Sequence, residues 1–245
     1  MPHDVHGDLQ RLCGFFRRHA AEETHFDHAR DGLVLFASAC IAMQSRRRGG
    51  WRGEYEGGMA VAPVPFLTPE EFLDAERRSD EKHEYFRGEV YAMAGGTPRH
   101  ATISLNIASY LHGALRGTPC RPYADMQVWV DSMQFLAYPD VFVVCGEPKL
   151  FPQRNDAIMN ALTIFEVLSP STENYDRGKK FMIYQSMPSL REYVLVSQSV
   201  RQIRRYELVD GVWSIYEASG SDRLKLTFID CELPLDAVYE GSGVE

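Results

Sequence analysis

The sequence predicts an α/β protein with a mixed β-sheet core, helices packed on the sheet and additional β-hairpins. Residues 162–168 form an apolar run, Leu-Thr-Ile-Phe-Glu-Val-Leu, which is typical of a central strand covered on both faces. Residues 98–115 instead repeat apolar side chains every four positions, as one face of an amphipathic helix does. The predicted order is helix, hairpin, helix, several strands, helix and further strands, which favours a mixed sheet flanked by helices.

The chain has 245 residues, of which 44% are hydrophobic, and this suffices for one sizeable core. Residues 1–58 differ from the rest because they combine scattered histidines with Arg46-Arg47-Arg48 and a Gly-rich close. This composition predicts a disordered N-terminal extension, followed by one domain over residues 59–245. Met59 stands at the change in composition, and we hypothesise that it is the true start of the protein.

The first elements of the domain have clear sequence signals. Thr68, Pro69 and Glu71 form a capping box with a proline in the first turn, which predicts a short helix to about Arg77. Arg87-Gly88 separates two β-prone runs and predicts a hairpin. The amphipathic helix begins at Pro98, and its apolar stripe consists of Ile103, Ile107, Leu111 and Leu115.

Strands and turns dominate the second half of the chain. Asp210-Gly211 is a strong two-residue turn signal and predicts a hairpin of residues 202–209 and 212–217. Residues 224–228 are predicted to add an edge to the sheet. The other predicted elements are strands at residues 121–130, 138–144, 162–168 and 191–196, and a helix at residues 176–187.

The charge of the chain limits its contacts with nucleic acid. A net charge of −8 and a pI near 5.5 argue against a protein that coats nucleic acid without specificity, because phosphate binding depends on Lys and Arg. A nuclease is still compatible with this charge, since a metal site concentrates carboxylates and a local basic rim can meet the backbone.

The cysteines stand at positions 13, 40, 120, 145 and 231, without a C-x-x-C pair or the spacing of zinc ligands. This pattern predicts reduced thiols, as in a cytoplasm. The longest uncharged apolar stretch, residues 32–43, is too short to span a bilayer. We therefore expect a cytoplasmic protein that does not insert into a membrane.

Two carboxylates are associated with the apolar runs. Asp140 directly precedes the run Val141 to Val144, which predicts a side chain at a strand end that ligands can reach. Glu166 lies inside the run of residues 162–168, where an unpaired carboxylate costs several kcal/mol. A turn residue is the simpler explanation of Asp140, and a buried ion pair is an alternative explanation of Glu166. A shared metal site explains both residues.

The segment Asp176-Arg177-Gly178-Lys179-Lys180 follows Glu166. Two acids followed by a lysine indicate metal-dependent phosphodiester hydrolysis, which needs an activated water and neutralisation of charge on the phosphoryl oxygens. Asp140, Glu166 and the backbone carbonyl of Val167 could hold Mg²⁺, or Mn²⁺ in its place, because hard cations prefer oxygen ligands. Lys180 or Lys179 would then position the water or stabilise the transition state, although a solvated lysine pair remains the alternative.

Five segments occur in one order along the chain: Glu84-Tyr85-Phe86-Arg87-Gly88-Glu89-Val90-Tyr91-Ala92-Met93-Ala94-Gly95, His100, Tyr138-Pro139-Asp140, Phe165-Glu166-Val167-Leu168-Ser169-Pro170-Ser171-Thr172 and Tyr175-Asp176-Arg177-Gly178-Lys179-Lys180. Together they resemble the Uma-two (Uma2) family of putative restriction endonucleases, which belongs to the PD-(D/E)XK nuclease superfamily. The resemblance covers about Phe66 to Val238. It implies a restriction-endonuclease-like α/β core, magnesium and a DNA substrate.

The resemblance also implies roles for individual residues. Asp140 and Glu166 match the two metal carboxylates of the family, and Lys180 matches the lysine that follows Asp-Arg-Gly-x. The superfamily pattern expects a lysine two residues after the glutamate, where this chain has Leu168. The resemblance therefore suggests that the lysine has migrated to the following helix. Glu84 and His100 match further positions and could contact a phosphate or a water of the metal. A surface ion pair of Glu84 and an ordinary helix-end histidine at position 100 are the alternatives.

The DNA-binding surface is predicted only in outline. Phosphate contacts are expected from Arg87, Arg99, Arg177 and Lys179, and no motif for reading bases is visible. A homodimer is expected because many nucleases cut the two strands as two-fold dimers.

Two alternative functions remain: a catalytically degenerate nuclease fold that binds nucleic acid or a protein, and a glycosidase that uses Asp140 and Glu166. The acidic charge and Leu168 favour the first alternative, whereas the adjacent lysines argue against the second.

Overall fold

The structure is a computed structural model that describes residues 67–93 and 95–245. The predicted extension of residues 1–58 and the hypothesis on Met59 lie outside the described residues. The chain divides into two compact units, one that ends at Ala94 and one from Gly95 to Glu245. The second unit combines helices with runs of consecutive strands, and it is a mixed α/β unit.

The first unit contains one helix and one hairpin. Helix α1 (Pro69–Glu76) begins after Thr68, whose hydroxyl accepts the N–H of Glu71 at 3.2 Å while the Glu71 carboxylate accepts the N–H of Thr68 at 2.9 Å. This is the predicted capping box. Strands β1 (His83–Phe86) and β2 (Glu89–Ala92) pair antiparallel around a turn with φ of 49° at Arg87 and 93° at Gly88. The predicted hairpin is thus confirmed.

The second unit contains the remaining elements. Its helices are α2 (Pro98–Ala114), α3 (Glu173–Tyr175), α4 (Phe181–Tyr184) and α5 (Leu235–Tyr239), with a 3₁₀ turn at Asp131–Met133 and a π turn at Asp176–Lys180. Its strands are β3 (Cys120–Tyr123), β4 (Gln127–Val130), β5 (Phe135–Ala137), β6 (Val141–Cys145), β7 (Ala157–Ile158), β8 (Thr163–Leu168), β9 (Glu192–Ser197), β10 (Gln202–Val209), β11 (Val212–Ser219), β12 (Arg223–Leu226) and β13 (Cys231–Pro234).

Six of these strands form one mixed sheet in the order β11-β10-β9-β8-β6-β3. Strands β8 and β9 are parallel, and the other neighbours are antiparallel. All six residues of β8 are buried, so this strand is the predicted central, covered strand. Strand β4 pairs antiparallel with β5 and parallel with β7, and β12 pairs with β13.

Both faces of the six-stranded sheet are covered. On one face, the predicted stripe of α2 packs with Phe165 and Val167 of β8 and with residues of β12, β13 and α5. On the other face, Phe181 stacks on Tyr193 of β9 with ring centroids 5.0 Å apart. Side chains alternate along a strand, so neighbouring residues of β8 meet these two different layers. Glu166 therefore lies on the face opposite to that of Phe165 and Val167.

Three predicted elements differ from the structure. The strand at residues 121–130 is divided into β3 and β4, because Asp125 adopts a left-handed φ of 62°. Residues 224–228 do not extend the main sheet, since β12 pairs with β13 in a separate two-stranded sheet. The helical segment runs from Glu173 to Tyr184 and is interrupted by the π turn, whereas a single helix at residues 176–187 was predicted.

The expectation that all thiols are reduced is wrong for two cysteines. Cys120 of β3 and Cys145 of β6 lie opposite each other in the antiparallel register and form a disulfide. They are 25 residues apart in sequence, so this proximity follows from strand pairing and could not be read from spacing. Cys231 is a buried free thiol. Among the described helices, none has the length and apolar character needed to cross a membrane.

Candidate active site

The two predicted metal carboxylates meet where β6 begins. Val141 of β6 pairs with Phe165 of β8 in an antiparallel register, and one further step places Asp140 opposite Glu166. Asp140 precedes the first residue of β6, and its Oδ2 accepts the N–H of Val167 at 2.7 Å. The carboxylate thus bonds a backbone N–H of β8 just beyond the paired part of the two strands. This places the Asp140 side chain against the backbone that follows Glu166.

His100 lies beside Asp140. Thr97 caps helix α2, because its hydroxyl accepts the His100 N–H at 3.1 Å and fixes the first turn. The His100 Nε2 is 3.3 Å from the Asp140 Oδ2, and the side chains are 19% and 20% exposed. The hydrogen bond to Asp140 raises the pKa of His100, and the Val167 backbone also raises it, whereas burial opposes the shift. We call His100 and Asp140 the outer pair.

A buried group of three charges lies next to the outer pair, and we call Glu166, Asp176 and Lys180 the inner cluster. The Lys180 Nζ is 2.9 Å from the Glu166 Oε1 and 3.6 Å from the Asp176 Oδ1. The three residues are 4%, 3% and 4% exposed. Asp176 and Lys180 are the first and last residues of the π turn, a wider turn that often occurs at functional sites.

Glu166 has the most perturbed carboxyl group of the site. Burial raises its pKa well above the usual range, and the charges of Asp176 and Asp140 raise it further. The neighbouring Lys180 ammonium opposes this shift. The hydroxyl of Tyr184, a fully buried residue of α4, donates to the Glu166 Oε1 at the longer distance of 3.4 Å. Glu166 would therefore gain from a further cation.

The structure distinguishes the two candidate lysines. Lys180 is buried against Glu166, whereas Lys179 is exposed. Leu168, at the position where the superfamily pattern expects a lysine, is a buried residue of β8. Lys180 reaches Glu166 from the following helical segment, and its role as the migrated lysine stays a prediction. Asp176 was quoted in the sequence motif without a role, although its spacing of four residues from Lys180 is a signal for a helical ion pair.

The remaining predicted residues lie at different places. In the second unit, Arg99 is exposed and donates to the carbonyls of Gln198 and Gly243 at 3.3 and 3.4 Å. Arg177 pairs with Glu173 at 2.7 Å. In the first unit, Glu84 is buried on β1, opposite Tyr91, and Arg87 occupies the hairpin turn. The roles of these residues stay predictions.

The donors of the site fit a hard divalent cation. Asp140, Glu166 and the Val167 carbonyl offer oxygen atoms, which Mg²⁺ and Mn²⁺ prefer. In the inner cluster two carboxylates, Glu166 and Asp176, face one ammonium, so the cluster carries an excess of negative charge when all three groups are ionised. Within residues 67–93 and 95–245, no three His, Cys, Asp or Glu side chains form a preformed metal cage. Mg²⁺ does not need one, because it is usually held by one or two carboxylates and retains several waters.

The chain was compared with protein families, related sequences and solved structures, and the matches agree with one another. Residues 69–236 match the Uma2 family, described as a putative restriction endonuclease. Two uncharacterized proteins of Synechocystis are similar: slr1290 is 40% identical over 182 residues, covering 74% of this chain and 95% of its own, and sll1609 is 32% identical over 166 residues, covering 67% and 94%. A crystal structure of a putative nuclease of DUF820 from Anabaena variabilis superposes with a TM-score of 0.57 at 12% identity, covering 71% of this chain and 97% of its own. The fold is therefore nuclease-like.

Proposed function

The chain belongs to the Uma2 family of putative restriction endonucleases, and we propose that it is a metal-dependent endonuclease that hydrolyses DNA phosphodiester bonds. The observation that carries the proposal is the meeting of Asp140 and Glu166 at the start of β6, with the buried Lys180 ammonium 2.9 Å from Glu166. Burying a lysine between carboxylates beside an open strand end costs folding free energy, so a purely structural role does not explain it. A compact positive charge at this place suits contact with a phosphate.

Asp140, Glu166 and the carbonyl of Val167 would hold Mg²⁺, or Mn²⁺ in its place. When bound, the cation would lower the pKa of a water and neutralise charge on the phosphoryl oxygens. Asp140 is partly exposed and lies at the strand end, so it can contact an incoming ligand first. Its hydrogen bond from the Val167 N–H holds the carboxylate next to the backbone whose carbonyl would complete the set.

Lys180 would act as a compact positive charge that positions the attacking water or stabilises the transition state. Its ammonium is paired with two buried carboxylates, at 2.9 Å and 3.6 Å. His100 is partly exposed and could donate a hydrogen bond to a phosphate oxygen, because its contact with Asp140 favours the protonated ring. No other described side chain of α2 is within ion-pair distance of Asp140.

DNA would be held mainly through its phosphates. Exposed Arg99 and Lys179 and partly exposed Arg177 belong to the same unit as the site and are proposed to contact the backbone, together with Arg87 of the first unit. Such contacts position the duplex without reading its sequence. We further propose a two-fold homodimer, which would present two sites to the two DNA strands.

Nicking of supercoiled plasmid by the purified full-length protein tests the proposal. We expect cleavage with Mg²⁺ or Mn²⁺ and none with EDTA. Asp140→Asn and Lys180→Ala should each reduce the rate by about 10²–10³-fold or more, as loss of one electrostatic group at a reacting centre does. Lys225→Ala, which removes an exposed charge from β12, is the matched control and should cleave normally.

The outcomes separate the alternatives. Cleavage that survives Asp140→Asn at the original rate would mean a different site or a contaminating enzyme. A well-folded protein that cleaves nothing under these conditions but binds DNA would favour the catalytically degenerate alternative. Metal-dependent cleavage that is lost in Asp140→Asn and retained in Lys180→Ala would keep the metal site and remove the lysine from the mechanism.

A further inference from the structure

We infer that Asp176 is a positioning residue, which retains the Lys180 ammonium inside the active site when Glu166 binds the metal. The inference rests on the proposed function, because it takes Glu166 as a metal ligand. Asp176 is 3% exposed, and its carboxylate is 3.6 Å from the Lys180 Nζ. Lys180 is thus shared between two carboxylates, of which Glu166 is the nearer at 2.9 Å.

Asp176 is anchored to the sheet independently of Lys180. The hydroxyl of Tyr193, a fully buried residue of β9, donates to the backbone carbonyl of Asp176 at 2.9 Å. Tyr193 also stacks on Phe181, which directly follows the π turn. Both ends of the π turn are therefore held against β9. This arrangement fixes the backbone that carries the Asp176 carboxylate, towards which the flexible lysine side chain can move.

The charges of the inner cluster explain why a second carboxylate is needed. When Glu166 binds a divalent cation, its oxygen atoms are shared between this cation and the ammonium, and two positive charges then repel each other in a buried setting. Asp176 offers the ammonium another partner less than 4 Å away. Lys180 can therefore release Glu166, remain charged and stay beside the reacting phosphate. Without the Asp176 carboxylate, the ammonium is expected to retain Glu166 and to compete with the metal.

Binding of Mn²⁺ to the metal-free full-length protein, measured without DNA from the electron paramagnetic resonance signal of free Mn²⁺, tests this inference. The variants are Asp176→Asn, Lys180→Gln and the double variant. Asp176→Asn is expected to weaken Mn²⁺ binding about tenfold, and the same change in the Lys180→Gln background should weaken it less than about twofold. Glu173→Gln is the matched control, because it removes a carboxylate from the same helical segment where it pairs with Arg177 at the surface.

Equal weakening in both backgrounds would overturn the inference, since Asp176 would then act only through its own charge on the metal. Unchanged Mn²⁺ affinity of a folded Asp176→Asn would overturn it as well. A wild-type protein that binds no Mn²⁺ would overturn the proposed metal centre and this inference together, whereas normal wild-type binding keeps the two questions separate. If Asp176→Asn does not fold by circular dichroism, Asp176→Ser carries the same expectation in both backgrounds.

Discussion

The second unit contains two buried charge clusters of the same composition, each with two carboxylates and one cation. The inner cluster consists of Glu166, Asp176 and Lys180, and what we call the closed cluster consists of Glu192, Glu207 and Arg205. Thr163 of β8 pairs with Glu192 of β9, so the closed cluster lies where these two strands begin and the inner cluster lies towards their other end. The two clusters differ in how their carboxylates are hydrogen bonded.

In the closed cluster, fixed donors satisfy the buried Glu192. Its carboxylate accepts the Thr163 hydroxyl at 2.9 Å, the Thr227 N–H at 2.8 Å and the Arg205 guanidinium at 3.3 Å. Arg205 also donates to Glu207 at 2.8 Å. Burial raises the pKa of Glu192, but these donors oppose the shift. Such a network is expected to serve stability and uniqueness of the fold.

In the inner cluster, Glu166 accepts from Lys180 and, at 3.4 Å, from Tyr184. Its pKa is raised well above the usual range because burial dominates. The cluster also adjoins the partly exposed Asp140, whereas Glu192 is completely buried. Burial of charge alone therefore does not mark an active site, because the closed cluster is as buried as the inner cluster. The incomplete compensation of Glu166, beside an open strand end, is the difference that supports the proposed site.

The largest expected difference between the clusters is the effect of removing the cation. Arg205→Met leaves two carboxylates buried among fixed donors and should lower the free energy of unfolding by about 3–5 kcal/mol. Lys180→Met should lower it by only about 1–3 kcal/mol, because Glu166 can take up a proton. Urea unfolding in EDTA measures both values. Equal losses would mean that Glu166 is compensated as fully as Glu192, which would contradict the comparison.

The sequence predicted much of this architecture because its strongest signals are local. The capping box at Thr68 and the Asp210-Gly211 turn depend on residues within one turn, and the structure has both elements. Asp140 and Glu166 were found because each interrupts or borders an apolar run, and the β6–β8 register then brings them together. The fold, a mixed sheet between helical layers, follows from the same periodicity.

Other features depend on tertiary packing and left no local signal. The left-handed conformation of Asp125 divides one apolar segment into two strands that belong to different sheets. The π turn at Asp176–Lys180 is followed by Phe181, which stacks on Tyr193 of a distant strand, whereas the sequence Asp-Arg-Gly-Lys-Lys predicted an ordinary helix start. The role of Asp176 could not be inferred before this turn was known. Cys120 and Cys145 are paired only through the register of β3 and β6.

The pH dependence of stability provides a second, smaller test. The folded-state pKa of Glu166 is raised, so its contribution to stability is fully present below the unfolded pKa and is lost as pH rises through the folded pKa. The Glu166→Gln variant has no charge to bury at this position. Its free energy of unfolding should therefore rise by on the order of 1 kcal/mol relative to that of the wild type between about pH 5 and pH 8 in EDTA. Urea midpoints across this range measure the gain.

Glu192→Gln is the matched variant for this test. Thr227 and Arg205 both donate to the Glu192 Oε1, and the neutral amide removes the negative charge that compensates the buried Arg205 guanidinium, so the variant should be less stable at every pH. Changes in the free energy of unfolding that have opposite signs for the two substitutions at about pH 8 would show that the two glutamates differ in role. A destabilised Glu166→Gln throughout the range would show that Glu166 is a structural carboxylate like Glu192.

The smallest expected effect is a shift in the pKa of His100, which belongs to the outer pair and can be titrated individually. The contact with Asp140 raises the pKa of His100, so the stabilisation by this pair is present below the ordinary histidine pKa and is lost as pH rises through the folded pKa. The NMR titration of His100 in EDTA should therefore have its midpoint above the ordinary value, and Asp140→Asn should lower it. Mg²⁺ should also lower this midpoint in the wild type, because Asp140 would then bind the cation in place of the imidazolium. An unchanged midpoint with saturating Mg²⁺ would remove Asp140 from the metal site. The strand end beside the inner cluster would then bind no cation through Asp140, and this difference from the closed cluster would be lost.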